Sequence, residues 1–489
     1  MIIKRFYNER IESLCTRLLY FMNTIDSYCI VAGVLSFLAM SWINGKEINF
    51  PFFIALSIAI YLCFKISDFY PAYLFFTPLF LFFFYKLPTF NILLTLNLLG
   101  INIMAFVIIQ TLFMGIPDAI IARDSTIPIR KIYNSFFTIA PTTVSFLMSV
   151  YFSSLISFTL YYNPNPFIDP WQLGLWMSLL GAAFITRMLR PKNFISLDSR
   201  PSITKSQVNR VILLNIDGCR LDRFQEAKLP FLSSLEKESS YFPRGLQTVY
   251  RALTNPAFAS ILTGTIPQVH GILDNNLGGY IKVEAIPDLV ETILYGSMHV
   301  KHFSKTHWKT KIVSLPTHSI YRTDDIVFDM LKKDLLNSNG TRLFIADLSE
   351  VDFLGHAYGS ESYQYLQALQ RTDTRIADFF SWIETHGLLK DAVVIICSDH
   401  GIIRIDHSYL LFKAEKFVPC IVVGKGIKKD NTLVFEASIM DIAPTISYLL
   451  GIRYPDHCRG HVLLEVLDEN ESNVNSSPHC REGLSITNG

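Results

Sequence analysis

Carboxylate and imidazole side chains follow three separate apolar runs in the C-terminal half of this 489-residue sequence. They are Asp217 after the run at 211–215, Asp352 and His356 after the run at 343–346, and Asp399 and His400 after the run at 392–397, with His407 a few residues further on. Carboxylates and imidazoles are ligands that Zn²⁺ accepts in proteins. Because residues of these types follow all three apolar runs, the sequence predicts a divalent metal site.

Thr254 adds a possible nucleophile to this set. It precedes a proline-containing turn and a short helical stretch, Thr254-Asn-Pro-Ala-Phe258. A hydroxyl at the start of a helix lies at the positive end of the helix dipole, and a nearby metal ion can lower its pKa. Each residue, considered alone, also has a purely structural alternative. Thr254 could be the N-cap of the helix, and Asp217 could belong to a turn or a helix cap.

The elements that must position these residues are strands of a parallel sheet. Apolar runs at 211–215, 343–346, 392–397 and 420–423 are bounded by turn residues, and helical periodicity lies between them, notably from Ser362 to Thr385. Apolar strands that alternate with helices indicate a sheet covered on both faces. In such sheets ligands bind beyond the carboxyl ends of the strands, which is where the polar residues fall.

The N-terminal half has a different composition. Between Ser27 and Met188, 12 of 162 residues are charged, against 17% in the whole chain. Long charge-poor windows predict transmembrane helices, six in our interpretation with five as the alternative. The windows are 28–43, 50–66, 69–87, 91–114, 135–161 and 171–189. The net charge of +1 gives no indication of nucleic-acid binding.

The side of the membrane that carries the C-terminal half depends on the number of spans. Basic residues concentrate before the first window, between the fourth and fifth, and after the sixth. By the positive-inside rule, six spans put both chain ends in the cytoplasm, whereas five put the C-terminal half outside. We therefore expect a multi-pass protein of the cell membrane, with the charge pattern favouring a cytoplasmic catalytic half.

The C-terminal motifs resemble those of the alkaline phosphatase superfamily, in particular its type I phosphodiesterase/nucleotide pyrophosphatase branch. The likeness covers roughly 208–465. Its carriers are Asn215-Ile-Asp217-Gly218, Thr254 to Gly264, Asp274-Asn275-Asn276, Asp352-Phe-Leu-Gly355-His356, Ser398-Asp399-His400-Gly401 and Asp441-Ile-Ala-Pro444-Thr445. The resemblance implies an α/β/α domain with a mostly parallel sheet, here fused to a polytopic α-helical membrane domain.

The resemblance also implies two metal ions, most often Zn²⁺. Asp217, Asp399 and His400 with the Thr254 oxygen are expected to hold one ion, and Asp352, His356 and His407 the other, with His457 and His461 as reserves for the third position. Asn255 and Asn275 are the expected phosphate-binding residues. The branch usually has Asn three residues after the nucleophile, where this chain has Ala257, and this departure argues against nucleotide substrates.

The predicted function is that of a membrane-anchored phosphodiesterase, in which Thr254 attacks phosphorus and forms a phospho-threonine intermediate. The substrate expected is a phospholipid or a lipid-linked or envelope phosphodiester. Two alternatives stay open: a phosphoethanolamine head-group transferase, whose relatives carry the catalytic half on the outer side of the membrane, and a catalytically inactive lipid sensor of the same fold. A Thr nucleophile disfavours a sulfatase, which requires formylglycine.

The predicted organisation has five parts. An amphipathic segment at 1–26 precedes the transmembrane domain at 27–189, and a linker at 190–208 leads to the catalytic domain at 209–467. The tail at 468–489 is polar and is expected to be disordered.

Overall fold

The computed structural model describes residues 92–137, 192–195, 200–203, 206–275, 279–337, 340–407 and 411–468, together with isolated positions before residue 190. The predicted tail at 468–489 lies almost wholly outside the described residues, as does the segment at 1–26. Within the described ranges, an N-terminal group of helices is followed by an α/β domain.

The α/β domain is built on an eight-stranded sheet. The described part of the domain has ten strands, of which eight form the large sheet and β3 and β8 form a separate pair. The strands are β1 (Arg210–Ile216), β2 (Ser240–Tyr241), β3 (Leu246–Gln247), β4 (Thr292–Gly296), β5 (Lys309–Ile312), β6 (Leu343–Leu348), β7 (Ala392–Cys397), β8 (Phe417–Val418), β9 (Cys420–Gly424) and β10 (Asn431–Thr432). The order in the large sheet is β10-β2-β9-β7-β1-β6-β4-β5. Strands β7, β1, β6, β4 and β5 run parallel, and β9 is antiparallel to β7. The predicted, mostly parallel sheet is confirmed.

Helices cover both faces of this sheet. The N-terminal helices are α1 (Ile92–Gln110), which continues into a π-helical turn at Thr111–Gly115, α2 (Ile116–Ala122) and α3 (Ile127–Phe137). The α/β domain adds α4 (Leu221–Glu226), α5 (Pro230–Leu235), α6 (Thr254–Thr263), α7 (Pro267–His270), α8 (Ile286–Leu289), α9 (Met298–Phe303), α10 (Leu315–His318), α11 (Ile320–Asn337), α12 (Glu350–Tyr358), α13 (Tyr363–Thr385), α14 (Lys413–Lys416) and α15 (Ile442–Leu450). Short 3₁₀ turns occur at Glu236–Glu238, Leu388–Asp391, Ile439–Asp441 and Leu464–Val466.

The two faces of the sheet bury separate hydrophobic cores because side chains alternate along each strand. On β1, Val211 and Leu213 pack with α6 and α15. Ile212 and Leu214 pack on the other face with α11, α12 and α13. All four side chains are fully buried, which explains why the strand reads as a continuous apolar run.

The longest helix follows its sequence signals closely. The predicted stretch from Ser362 to Thr385 is α13, and the Ser362 side chain accepts a hydrogen bond from the Tyr365 N–H as the N-cap. A serine in this position satisfies one of the four N–H groups that a helix leaves without an internal partner.

The transmembrane interpretation is not confirmed. Within the described ranges, no helix combines the length and apolar character needed to cross a membrane. The window at 91–114 overlaps α1, and the other five windows lie almost wholly outside the continuously described residues.

Candidate active site

Four of the predicted residues meet where β1 and β7 end and α6 begins. We call Asp217, Asp399 and His400 the first cluster. Nε2 of His400 lies 3.4 Å from Oδ1 of Asp217 and 3.4 Å from Oδ2 of Asp399. The same nitrogen lies 3.0 Å from the Thr254 hydroxyl oxygen. The parallel strands β1 and β7 are neighbours, so their carboxyl ends bring the three ligand-type residues to one edge of the sheet.

Three further residues form the second cluster: Asp352, His356 and His407. Asp352 and His356 are one helical turn apart on α12, with Oδ2 of Asp352 3.5 Å from Nε2 of His356. Nε2 of His407 lies 3.0 Å from Nε2 of His356 and 3.9 Å from Oδ1 of Asp352. The structure therefore places His407, the least certain residue from sequence, beside the other two.

The two clusters adjoin each other. Possible ligand atoms of Asp352, His400 and His407 lie within 4.8 Å of one another, and the rings of His400 and His407 are 4.1 Å apart. Two ions held here would lie close together, as in two-metal phosphoryl-transfer sites.

Backbone carbonyls orient two of the imidazoles. Nδ1 of His400 lies 3.2 Å from the Gly401 oxygen, and Nδ1 of His356 lies 2.8 Å from the Ile405 oxygen. A carbonyl only accepts hydrogen bonds, so each Nδ1 carries a proton, and Nε2 is the ring nitrogen that faces the cluster. Metal-binding histidines are commonly held in this way by a hydrogen bond from the ring nitrogen that does not bind the metal.

Several buried polar atoms in the clusters have no hydrogen-bond partner in the part of the chain that the structure describes. These atoms are Oδ1 of Asp217, Oδ1 of Asp352, Oδ2 of Asp399 and Nδ1 of His407. Buried polar groups without partners are rare in proteins because they lose hydration without compensation. The oxygens fit a site that binds cations.

The electrostatics of the site agree with this interpretation. Burial, with the nearby charges of Asp352 and Asp399, raises the pKa of Asp217 well above its ordinary value. Burial likewise raises the pKa of Asp399, with Asp347 and Asp352 adding to the effect. Burial lowers the pKa of His400 to about 3. Three aspartates and the neutral imidazole of His400 in a buried space favour divalent cations, which neutralise the acidic charge.

Thr254 is the first residue of α6, and its neighbour Leu253 occupies the N-cap position with extended backbone. The helix has no side-chain cap, so the N-cap role that the sequence left open for Thr254 is not the one observed. The Thr254 side chain, 7% exposed, instead contacts His400. Its hydroxyl therefore lies at both a helix N-terminus and the first cluster.

The two predicted phosphate-binding residues contact each other next to Thr254. The Asn255 N–H donates to Oδ1 of Asn275 at 2.9 Å, and both side chains are buried. Oδ1 of Asn255 has no hydrogen-bond partner among the described residues. The Oδ1 atom of Asn275 already accepts the hydrogen bond from the Asn255 N–H. The side-chain N–H groups of Asn275 can therefore donate to a phosphoryl oxygen.

Gly218 permits β1 and α12 to come close together. Its φ of +67° is in the left-handed region, and a Cβ at this position would lie 2.5 Å from Oδ1 of Asp352. The glycine in the Asp217-Gly218 motif thus serves two purposes, since it turns the chain after β1 and makes room for a carboxylate of the second cluster.

Sequence reasoning missed three acidic or imidazole residues at this edge. His299 and Asp347 join Asp217 in a further group of possible ligands, and Asp406 lies with His356 and His407. Nε2 of His299 lies 3.0 Å from Oδ2 of Asp347. His299 comes three residues after β4, a strand too short to stand out as an apolar run, and recognising that strand would have revealed it.

The reserve histidines lie apart from the clusters. His457 is exposed, and Nδ1 of His461 lies 2.9 Å from Oδ1 of Asp441. Neither belongs to a group of possible metal ligands in the described ranges. The structure thus favours His407 over both.

Comparison with known proteins agrees with these motifs. The family model "Type I phosphodiesterase / nucleotide pyrophosphatase" matches residues 211–278 and 290–475, just over half of the chain. An uncharacterized pyrophosphatase/phosphodiesterase of Schizosaccharomyces pombe is 25% identical over 231 residues, 42% of this chain and 47% of the relative. A human bis(5′-adenosyl)-triphosphatase is 23% identical over 261 residues, 43% of this chain and 54% of the relative.

Among solved structures, the alkaline phosphatase PafA matches with a TM-score of 0.46 and 11% identity, over 54% of this chain and 100% of that structure. The chain spans about half the length of the two phosphodiesterase-type relatives. Residues 1–210 lie outside the family match.

Proposed function

The chain belongs to the type I phosphodiesterase/nucleotide pyrophosphatase family, and on that basis we propose that it is a metal-dependent phosphodiesterase with Thr254 as its nucleophile. The observation that carries the proposal is the position of the Thr254 hydroxyl, 3.0 Å from Nε2 of His400 and at the start of α6. The two clusters lie directly beside it. The family comprises hydrolases, and these residues supply a site for that activity.

Asp217, Asp399 and His400 would hold one ion, and Asp352, His356 and His407 the other, most often Zn²⁺ in this family. When bound, the ions supply positive charge for the attacking and leaving oxygens of an in-line displacement. The burial of Asp217, Asp399 and His400 lowers the local dielectric constant, which strengthens that charge stabilisation.

The chain's own residues perform the transfer. The Thr254 hydroxyl releases its proton to solvent, and its oxygen forms a bond to phosphorus while the bond to the leaving alkoxide breaks. That alkoxide takes a proton from solvent. The N–H groups at the start of α6, with the side chains of Asn255 and Asn275, are placed to hold the phosphoryl oxygens. Water then cleaves the phospho-threonine, which releases a phosphomonoester and restores the hydroxyl.

A head-group transferase is the second candidate. An alcohol in place of water in the last step gives a phosphodiester product from the same site. The guanidinium of Arg130, on α3 of the charge-poor half, lies 5.4 Å from the Tyr358 ring centre on α12, so a segment of that half packs on the helix that carries part of the second cluster. We propose a lipid-linked or envelope phosphodiester as substrate for either activity. An inactive lipid sensor would have no need for six ligand-type residues in contact.

A comparison of ester substrates tests the activity. We expect the full-length chain in detergent to cleave bis-p-nitrophenyl phosphate at least about tenfold faster than p-nitrophenyl phosphate, and to leave p-nitrophenyl sulfate intact. Phospholipid labelled in its head group, supplied with a lipid-linked glycan, separates the two candidates, since transfer in excess of hydrolysis indicates the transferase. A preference for the monoester or the sulfate would refute the phosphodiesterase assignment.

We further propose that the chain is anchored in the membrane by its charge-poor half, with the predicted windows at 135–161 and 171–189 as two spans that return the chain to the side of α2 and α3. The reason is that α2 and α3 contact the catalytic domain. The two helices and the catalytic domain must therefore lie on the same side of the membrane. Ser125→Cys, Lys390→Cys and Asn165→Cys, introduced one at a time and labelled with a membrane-impermeant thiol reagent in intact cells, test this. The cysteines at positions 125 and 390 should either both react with the reagent or both be protected from it, and the cysteine at position 165 should show the opposite result. If only one of positions 125 and 390 reacted, the proposal would be contradicted.

A further inference from the structure

Helices α2 and α3 form a compact hairpin, residues 116–137, in the part of the chain that the sequence assigned to the membrane. Its turn is well defined, with Arg123 in the left-handed conformation at φ +55°. Oδ1 of Asp124 accepts hydrogen bonds from the Thr126 N–H at 2.8 Å and from the Thr126 hydroxyl at 2.7 Å. These bonds form an Asx turn immediately before α3.

The inner face of the hairpin belongs to the core of the catalytic domain. Ile121, Ala122 and Ile127 are 8%, 4% and 0% exposed and pack in the same hydrophobic cluster as Leu354 and Ala357 of α12. Burial of this kind stabilises the contact by about 25 cal/mol per Å² of apolar surface. The hairpin is therefore fixed against the helix that carries Asp352 and His356.

A buried ion pair joins the two helices of the hairpin. Lys131 of α3 contacts Asp118 of α2, and their side chains are 3% and 8% exposed. Because a buried ion pair must offset a large desolvation cost, it requires accurate geometry. The pair gives the hairpin a fixed internal arrangement.

A hydrogen bond ties the hairpin turn to the end of α12. The Tyr358 hydroxyl donates to Oδ2 of Asp124 at 2.6 Å. Tyr358 comes two residues after His356, whose Nδ1 lies 2.8 Å from the Ile405 oxygen on the opposite side. The C-terminal turn of α12 is thus held from both sides, by the hairpin and by the loop that leads to His407.

We propose that the hairpin is a positioning element for the second cluster, and that the Asp124–Tyr358 hydrogen bond fixes the position of His356 through the last turn of α12. The inference rests on the proposed function, because the second cluster is taken to bind metal. Tyr358 touches neither cluster directly, so it acts through the helix. Metal binding in the C-terminal half thereby depends on a segment far away in the sequence.

The test compares metal affinity in wild-type protein and in Tyr358→Phe, which removes the hydroxyl and keeps the ring. With the full-length chain in detergent and a competing chelator, we expect one of the two Zn²⁺ ions to bind roughly tenfold more weakly and the other to bind unchanged. Asp124→Asn, which removes the negative charge, should act in the same direction. Tyr363→Phe is the matched control, since Tyr363 is 69% exposed at the start of α13.

Hydrogen exchange provides a second measurement that does not depend on metal. Amides of residues 350–358 should exchange faster in Tyr358→Phe than in wild type, whereas those of β1 should not change. The proposal would be overturned if Tyr358→Phe bound both ions with wild-type affinity and the amides of residues 350–358 exchanged at the wild-type rate. Wild-type protein that binds no metal would instead count against the proposed function, and the exchange rates would still decide whether the hairpin holds α12.

Discussion

Replacing Thr254 with alanine is expected to reduce phosphodiester cleavage by roughly 10⁴-fold or more, because the reaction loses its nucleophile. The side chain is buried against His400 and is 7% exposed, and alanine fits the same space. The variant also loses the Thr254 oxygen as an expected ligand of the first ion, but the six carboxyl and imidazole ligands stay in place, so at saturating Zn²⁺ it should still bind two ions. The assay is cleavage of a chromogenic diester, with metal content measured on the same sample.

Two further variants separate chemistry from structure. Thr254→Ser keeps a hydroxyl at the start of α6 and should retain measurable cleavage. Thr374→Ala is the control, because Thr374 is an exposed residue of α13 whose hydroxyl donates to the Gln370 oxygen at 3.0 Å. If Thr254→Ala cleaved the diester at the wild-type rate, direct attack by water would replace the phospho-threonine route.

The central strands could be predicted from sequence because they are buried on both faces. The apolar runs at 211–215, 343–346 and 392–397 are β1, β6 and β7, and the run at 420–423 is β9. Parallel pairing puts the ends of the first three strands at one edge. The convergence of Asp217, Asp352 and Asp399 follows from that topology, so the amino-acid sequence alone is sufficient to predict that these three residues lie close together.

Strands with weaker sequence patterns could not be predicted. Strand β5, Lys309–Ile312, places no fully buried residue in the sheet and alternates Lys with other residues, so no apolar run marks it. Strand β4 is buried but only five residues long. Without β4, the sequence gives no reason to single out His299, which lies 3.0 Å from Asp347. Short or edge strands are stabilised by tertiary contacts that local sequence does not encode.

The role of the hairpin could not be read from sequence either. Ile121 and Ile127 fit an apolar window equally well as membrane-facing or as core residues, since both environments select for the same side chains. The burial of Ile121 and Ile127 against α12 and the contact between Asp124 and Tyr358, more than two hundred positions apart in the chain, distinguish these possibilities. Such contacts depend on the complete fold.

Removal of metal is the second change with a large expected effect. Stripping the full-length chain with a chelator should reduce diester cleavage by about 10³-fold or more, because the carboxylates of Asp217, Asp352 and Asp399 would then repel a phosphodiester anion. Mg²⁺ should restore less activity than Zn²⁺, since imidazole ligands favour Zn²⁺. The measurement is the initial rate before and after each metal is returned.

A matched pair of variants shows whether the first cluster is responsible. Asp399→Asn removes one charge from a fully buried ligand position and should lower metal content by one ion per chain. Asp391→Asn makes the same chemical change on the surface, where Asp391 contacts Lys425 at 3.2 Å, and should leave metal content and activity unchanged. Loss of metal in both variants would point to a general effect on stability.

The most direct test of the two-metal phosphodiesterase is a Zn²⁺ titration of the stripped full-length chain, with bound metal and diester cleavage measured in the same samples. We predict that cleavage stays near the stripped level up to one bound ion per chain and rises to its maximum as the second ion binds. Full activity without bound metal, or an absence of activity at two ions per chain, would contradict this assignment.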